Sequence, residues 1–264
     1  MFKVRKLIVI AAIALGIAVS FSVMLKRIYV APIIMYHSVS PKQNPAISGL
    51  IVSPETFQRQ MRFLKECKYN ILPLDELAAL LKEKKRLPPR TIAITFDDGY
   101  KDNYTYAFPI LRKYNIPVTM FIIINEVGRP KGDRVSWDDI RQMRSSGLIT
   151  FGSHAMGPQP LINIKSDQEL RLQIFDSKKA LEDKLGIECS LFSYPEGMFN
   201  AKIRQLVVDA GYKAALGTRL GKDYPDNDIF AIRRLRISEN AASLFVFWFE
   251  TSGYYTFFKE RRRK

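Results

Sequence analysis

Thr91-Ile-Ala-Ile-Thr-Phe-Asp-Asp-Gly99 is a short apolar, β-branched run that ends abruptly in two acids and a glycine. A buried parallel strand has this form, and α/β folds gather their chemistry at strand C-termini. Successive side chains on a strand point to opposite faces, so Asp97 and Asp98 share one cavity only if the strand ends there. Gly99 supplies a sharp turn that lets both carboxylates lean the same way. A plain strand followed by an Asp-Asp-Gly turn fits these nine residues equally well, and the rest of the chain has to decide.

Working outward, Pro32-Ile-Ile-Met-Tyr-His37 is a second apolar strand, ending on a histidine. Leu148-Ile-Thr-Phe151 is another, running into Gly152-Ser-His154. The chain has 2 histidines, and both stand at predicted strand ends. Between these strands, Ser53-Pro54 opens a helix with a cap and a first-turn proline, and Phe57, Met61 and Leu64 form its buried stripe. A second helix follows Asp75. A tyrosine-rich helix covers residues 103–114, where Pro109 marks a kink or a late start. Residues 117–124 read as a strand. Ser136 caps a helix that stops near Gly147, and Ser166-Asp-Gln-Glu169 is a capping box for a helix stopped by Gly186. Residues 189–194, 212–216 and 231–237 read as strands and residues 201–210 as a helix. Ser238 caps a last helix carrying Leu244-Phe-Val-Phe-Trp-Phe249, apolar all round and therefore buried in the body or packed on something else. Strands and helices alternate about seven times without a repeat or long linker, which predicts a parallel α/β sheet, either closed as a barrel or open.

With 264 residues and 47% apolar content the chain can bury a sizeable core. Its formal charge of +15 is concentrated at the ends. Lys3, Arg5, Lys6, Lys26 and Arg27 precede the body, and Lys259-Glu-Arg-Arg-Arg-Lys264 follows it, leaving the body only mildly basic. Basic ends beside an apolar segment suit anionic lipid. No zinc-finger spacing, aromatic-basic RNA signature or phosphate loop points to nucleic acid. Residues 7–25 carry no charge and would span about 28 Å as a helix. The segment reads as an uncleaved transmembrane anchor with the body exported, so the expected location is the cell membrane; a cleaved signal peptide is the alternative. Residues 1–27 thus form an anchor or signal segment, 28–258 the body and 259–264 a basic tail. Cys67 and Cys189 show no metal-type spacing and read as unrelated thiols.

A carboxylate and an imidazole can share a divalent cation such as zinc, and a second, unliganded carboxylate can act as a base. On that chemistry Asp98 suits the cation, Asp97 suits the base, and a second histidine across the site can protonate a leaving amine. Thr95-Phe-Asp-Asp-Gly99 resembles the first motif of the polysaccharide deacetylase (NodB-homology) family. Gly152-Ser-His154 is similar to the start of its second motif, and Phe192-Ser-Tyr-Pro-Glu-Gly197 to its third. The likeness covers roughly residues 32–237 in the same order.

The resemblance implies a distorted (β/α)7-type barrel, here with the N-terminal transmembrane helix. It also implies removal of acetyl groups from N-acetylhexosamine units of an envelope or extracellular polysaccharide with a bound divalent metal, zinc or another transition metal. Carried over by position, it makes Asp97 the general base and Asp98 and His154 metal ligands. The backbone N–H of Glu196 becomes an oxyanion donor, and Arg234 steadies the base. No histidine follows His154, and Met35-Tyr-His37 resembles the permuted branch of the family, which assigns the general acid to His37. First and last strands of a closed barrel are neighbours, so either end can supply that group. One departure concerns the metal. Where the family carries a second histidine, His154-Ala-Met-Gly-Pro158-Gln-Pro160 has Pro158, which offers no side-chain ligand, and the amide of Gln159 is a poor substitute. A weakly held metal follows. The alternative is a degenerate barrel that binds carbohydrate or assists polysaccharide assembly without catalysis.

Overall fold

The computed structural model describes residues 29–42, 44–218 and 228–255, together with positions 5, 10, 12–17, 19, 20 and 23. The membrane-spanning part of the expected fold is not met: among the described residues no helix is long and apolar enough to cross a membrane, which takes about 20 apolar residues. The other positions of residues 1–28, and the basic tail 259–264, lie outside the described residues.

The first strands and helices are β1 (Ile33–Tyr36), β2 (Ser38–Val39), β3 (Ile51–Val52), α1 (Pro54–Glu66), β4 (Asn70–Ile71), α2 (Leu74–Lys82) and β5 (Thr91–Phe96). Next come α3 (Phe108–Tyr114), β6 (Val118–Ile122), α4 (Trp137–Ser145), β7 (Ile149–Ser153), α5 (Asp167–Arg171) and α6 (Ser177–Leu185). The described chain closes with β8 (Leu191–Ser193), α7 (Ala201–Asp209), β9 (Ala214–Gly217), β10 (Ile232–Arg233), β11 (Leu235–Arg236) and α8 (Leu244–Thr251).

The main sheet is parallel and runs β10-β9-β8-β7-β6-β5-β1-β11, with β4 added on the start of β5. β10 and β11 are the halves of the single strand expected at 231–237. The first half pairs with β9 and the second with β1, in register Ile34 to Leu235. The two ends of the sheet are therefore joined through Arg234 alone, which gives a nearly closed barrel. The predicted adjacency of first and last strands is met by the β1–β11 pairing.

Period-two alternation sorts every strand into an outer and an inner face. Ile34, Tyr36, Ile92, Ile94 and Phe96 join the core under the surrounding helices. Ile33, Ala93, Phe121, Leu191, Ala214 and Leu216 fill the lumen, which Leu74, Leu77 and Ala78 of α2 plug from below. Strands buried on both faces explain the unbroken apolar runs that the sequence shows. The inner row continues upward to the strand C-termini, where apolar side chains give way to His37, Asp97, His154 and Ser193.

Local sequence explains most of the helix boundaries. Pro109 sits in the first turn of α3, where its missing N–H costs nothing, and a π-type turn at Asn103–Ala107 leads into it. Ser136 and Asp139 form a reciprocal capping box on α4. The helix expected over 166–186 is interrupted by a π-type turn at Leu172–Asp176. Ser243, not Ser238, precedes the last helix. The turn after Ser238 is held to α1 instead, where Glu239 accepts hydrogen bonds from the Ser53 N–H and the Thr56 hydroxyl. Only one face of α8 is buried: Phe247 packs edge-on against Phe63, whereas Phe245, Trp248 and Phe249 are exposed.

Candidate active site

Six residues singled out from the sequence, His37, Asp97, Asp98, His154, Glu196 and Arg234, line one cavity of about 470 Å³ at the strand C-termini. Asp97 continues the inner row of β5, and its N–H donates to the Tyr36 carbonyl at 3.0 Å. Asp98 would point outward if the strand went on. Its own backbone turns left-handed at φ 68°, followed by Gly99 at φ 64°. The turn that gathers both carboxylates is thus made by Asp98 as well as by Gly99. Ala155 and Glu196 also have positive φ, at 66° and 54°. Asp98 and Glu196 line the cavity and Ala155 directly follows His154, so left-handed non-glycine backbone of the kind that functional sites hold surrounds it.

Arg234 projects inward from the seam between β10 and β11. Its guanidinium grips Asp97 with two parallel bonds, Nη1 to Oδ1 and Nη2 to Oδ2, both 2.7 Å. It also donates to the Ser193 hydroxyl at 2.7 Å and to Thr95 Oγ1 at 3.3 Å, and it lies over the Phe121 ring. Arg234 is 6% exposed, whereas Arg233 is half-buried and Arg236 exposed. Burial pushes the Asp97 carboxyl up, but Arg234 first and His154 second outweigh it and bring it to about 2.

His154 is fixed from behind: Nδ1 meets the Ser193 carbonyl at 2.7 Å. Donation from Nδ1 leaves Nε2 facing Asp98 Oδ1 at 3.5 Å and Asp97 Oδ2 at 3.8 Å. Burial opposes a charge on this ring, yet the two carboxylates raise its pKa, while the same contacts lower that of Asp98 against its own burial. On the opposite wall, His37 has a buried Nδ1 without a hydrogen-bond partner, and burial lowers its pKa.

Asp98 and His154 suit a divalent cation. Their facing donor atoms are 3.5 Å apart, close to the roughly 3.4 Å between neighbouring ligands of a tetrahedral ion bound at about 2.1 Å. The Nδ1 bond to a carbonyl is the support that a metal-binding imidazole usually has. A third protein ligand is missing: among the described residues no group of three or more His, Cys, Asp or Glu could hold a metal ion. Pro158 lines the cavity at the position expected for the second histidine. The Gln159 amide, the substitute considered from sequence, folds back over Gly157 instead.

Four residues of this site were not singled out from the sequence. Ser193 braces Arg234 through its hydroxyl and His154 through its carbonyl, and Thr95 supports Arg234 from below. Both were quoted within motifs, and their inward position follows from strand alternation. Tyr100 and Arg134 form the rim, with the Arg134 guanidinium 4.1 Å from the Tyr100 ring centroid. They adjoin through an isolated antiparallel bridge that no local pattern announces.

Residues 84–215 match the family model for polysaccharide deacetylase. YxkH of Bacillus subtilis, whose name places it among the polysaccharide deacetylases, is 30% identical over 207 residues, covering 78% of this chain and 71% of its own. The chain belongs to the polysaccharide deacetylase family. Members of this family generally use a divalent metal. A poly-β-1,6-N-acetyl-D-glucosamine N-deacetylase of Staphylococcus aureus is 28% identical over 208 residues, 74% of this chain and 70% of that one. Among solved structures, the Streptococcus pyogenes deacetylase PplD in complex with acetate superposes with a TM-score of 0.72 at 26% identity, over 80% of this chain and 94% of that chain. Cys67, half-buried, and Cys189, buried, are free thiols.

Proposed function

We propose that this protein hydrolyses N-acetyl groups from N-acetylhexosamine units of an envelope or extracellular polysaccharide. The observation that carries the reading is the buried Asp97 carboxylate, held bidentately by Arg234 and facing His154 across a cavity also lined by Asp98 and His37. Poly-N-acetylglucosamine is the first substrate to try, because the Staphylococcus aureus relative is named for it.

In this reading Asp97 takes the proton of the water that attacks the acetyl carbonyl. Arg234 holds the carboxylate in place and ionised. The Glu196 N–H stabilises the developing oxyanion. His37 hands a proton to the departing amine, and its lowered pKa makes the protonated ring a stronger acid than a free imidazolium. Asp98 and His154 would hold the divalent cation, leaving its remaining positions to water or substrate. When bound, that cation polarises the carbonyl and acidifies water. Acetate release from N-acetylglucosamine oligosaccharides with added zinc, cobalt or manganese tests the reading. Release that Asp97→Asn reduces at least about 10³-fold is expected, and no release across these glycans and metals would overturn it.

Pro158 favours a second reading, a barrel that binds carbohydrate without catalysis. Metal content separates the two. Metal retained by the wild type and lost in His154→Ala supports the hydrolase, and none in either supports the binding protein.

A further inference from the structure

Asp102 is a half-buried carboxylate that the catalytic reading does not use and that does not line the cavity. An acid at the start of a helical turn ordinarily caps it, but Asp102 makes no capping bond to the π-type turn it precedes. Its oxygens are given to a distant segment instead. Oδ2 accepts from the Ser38 hydroxyl at 2.6 Å and Oδ1 from the Val39 N–H at 3.2 Å. Ser38 and Val39 are the residues that follow His37.

His37 needs such a hold. It stands where the chain leaves the barrel: β1 pairs with β5 and β11, whereas β2 pairs with β3 in a separate two-stranded sheet. The ring of His154 is fixed by the Ser193 carbonyl, but the buried Nδ1 of His37 has no hydrogen-bond partner among the described residues. The place of the His37 ring therefore depends on its backbone. On one side of it, the Tyr36 carbonyl accepts from the Asp97 N–H at 3.0 Å. On the other, Ser38 and Val39 are held by Asp102. Both ties reach the same short segment, residues 97–102, which carries the base and one candidate metal ligand. That segment is itself anchored. The Val135 N–H donates to the Gly99 carbonyl and the Lys101 N–H to the Asp133 carbonyl, both at 3.0 Å, and Lys101 Nζ meets Asp139 at 2.7 Å. An anchored loop thus grips the backbone of the acid from both sides.

We propose that Asp102 is a positioning residue for His37, clamping Ser38 and Val39 so that the imidazole is held across the cavity from Asp97. Asp102 acts through backbone placement and touches neither the substrate nor the reacting atoms. The kinetic consequence rests on the hydrolytic reading, in which His37 hands its proton to the departing amine. A misplaced acid slows that step without weakening the binding of the glycan.

The chain has 2 histidines, so the ring signals of His37 can be read beside those of His154 in full-length protein labelled with ¹⁵N-histidine, with His37→Gln making the assignment. In Asp102→Ala the His37 signals are expected to shift or split while those of His154 stay in place. Asp102→Asn, which keeps an acceptor for Val39 and a polar partner for Ser38, should restore them. Ser38→Ala removes one of the two bonds and should shift the His37 signals by less, a readout that stands even where Asp102→Ala does not fold. In acetate release from N-acetylglucosamine oligosaccharides, Asp102→Ala should lower kcat about 10- to 100-fold with KM little changed, and Asp102→Asn should recover most of it. His37 signals that stay put in Asp102→Ala, or both histidines moving together, would overturn the proposal. So would a kcat unchanged by a displaced His37 ring. Wild-type protein that releases no acetate counts against the hydrolytic reading instead, and the ring signals then decide the clamp alone.

Discussion

Asp97 is pulled in two directions, by burial that favours its neutral form and by Arg234 and His154 that hold it ionised. Its pKa of about 2 against an ordinary 3.8 makes the folded state bind its proton less readily than the unfolded chain does. The resulting stabilisation is fully present above about pH 4 and is lost as pH falls toward 2, on the order of 2 kcal/mol. Denaturant melts of the metal-free protein between pH 2 and 5 should show this slope, and Asp97→Asn should flatten it. Arg234→Ala would leave the carboxylate buried without its partner and should destabilise the protein by about 3–5 kcal/mol in the same melts at pH 7. Arg234→Lys keeps the charge but not the two-pronged grip. It should fold, with kcat for acetate release down about 10- to 100-fold and little change in KM. The chemistry of Asp97, Asp98 and the two histidines is legible in the sequence because each follows an apolar run. Arg234 is less so: three arginines stand within four positions, and period-two alternation puts both Arg234 and Arg236 on the cavity side.

Among the elements, β7 and the loop after it set the position of His154. Gly152 lies where a Cβ would sit 2.5 Å from the Phe121 ring and 2.9 Å from the Leu191 carbonyl. Any side chain there must push β7 from its neighbours. Gly152→Ala should cost about 1–3 kcal/mol in thermal or denaturant melts and should also reduce acetate release by shifting the His154 ring. The loop that follows brings Pro158 to the cavity wall. Pro158→His would add an imidazole to a site that now has two ligands. Calorimetric zinc titration should show affinity at least about tenfold higher than wild type, equivalent to about 1.4 kcal/mol. Elements with strong local punctuation, such as the Ser136 capping box and the first-turn proline of α1, follow from sequence almost to the residue. The division of one expected strand into β10 and β11 does not. It arises because each half pairs with a different strand far away in the chain.

At the scale of the molecule, the barrel solves a problem of assembly. Asp97, His154, His37 and Arg234 are distant in sequence, and parallel strands bring their C-terminal ends onto one rim. The near-closure matters chemically, since the seam that joins the sheet is the residue that holds the base. Alternation of strands and helices made a parallel α/β sheet readable, but closure depends on the β1–β11 register, which local periodicity does not encode. The membrane anchor inferred from residues 7–25 is not supported among the described residues.

The central claim, that water activated at Asp97 cleaves an acetamide, is tested most directly by oxygen isotope incorporation. Hydrolysis of N-acetylglucosamine oligosaccharide in ¹⁸O-labelled water should place one ¹⁸O in each acetate and release one free amine with it, and Asp97→Asn should form neither. Acetate without the label, or the same labelled yield from Asp97→Asn, would contradict the account.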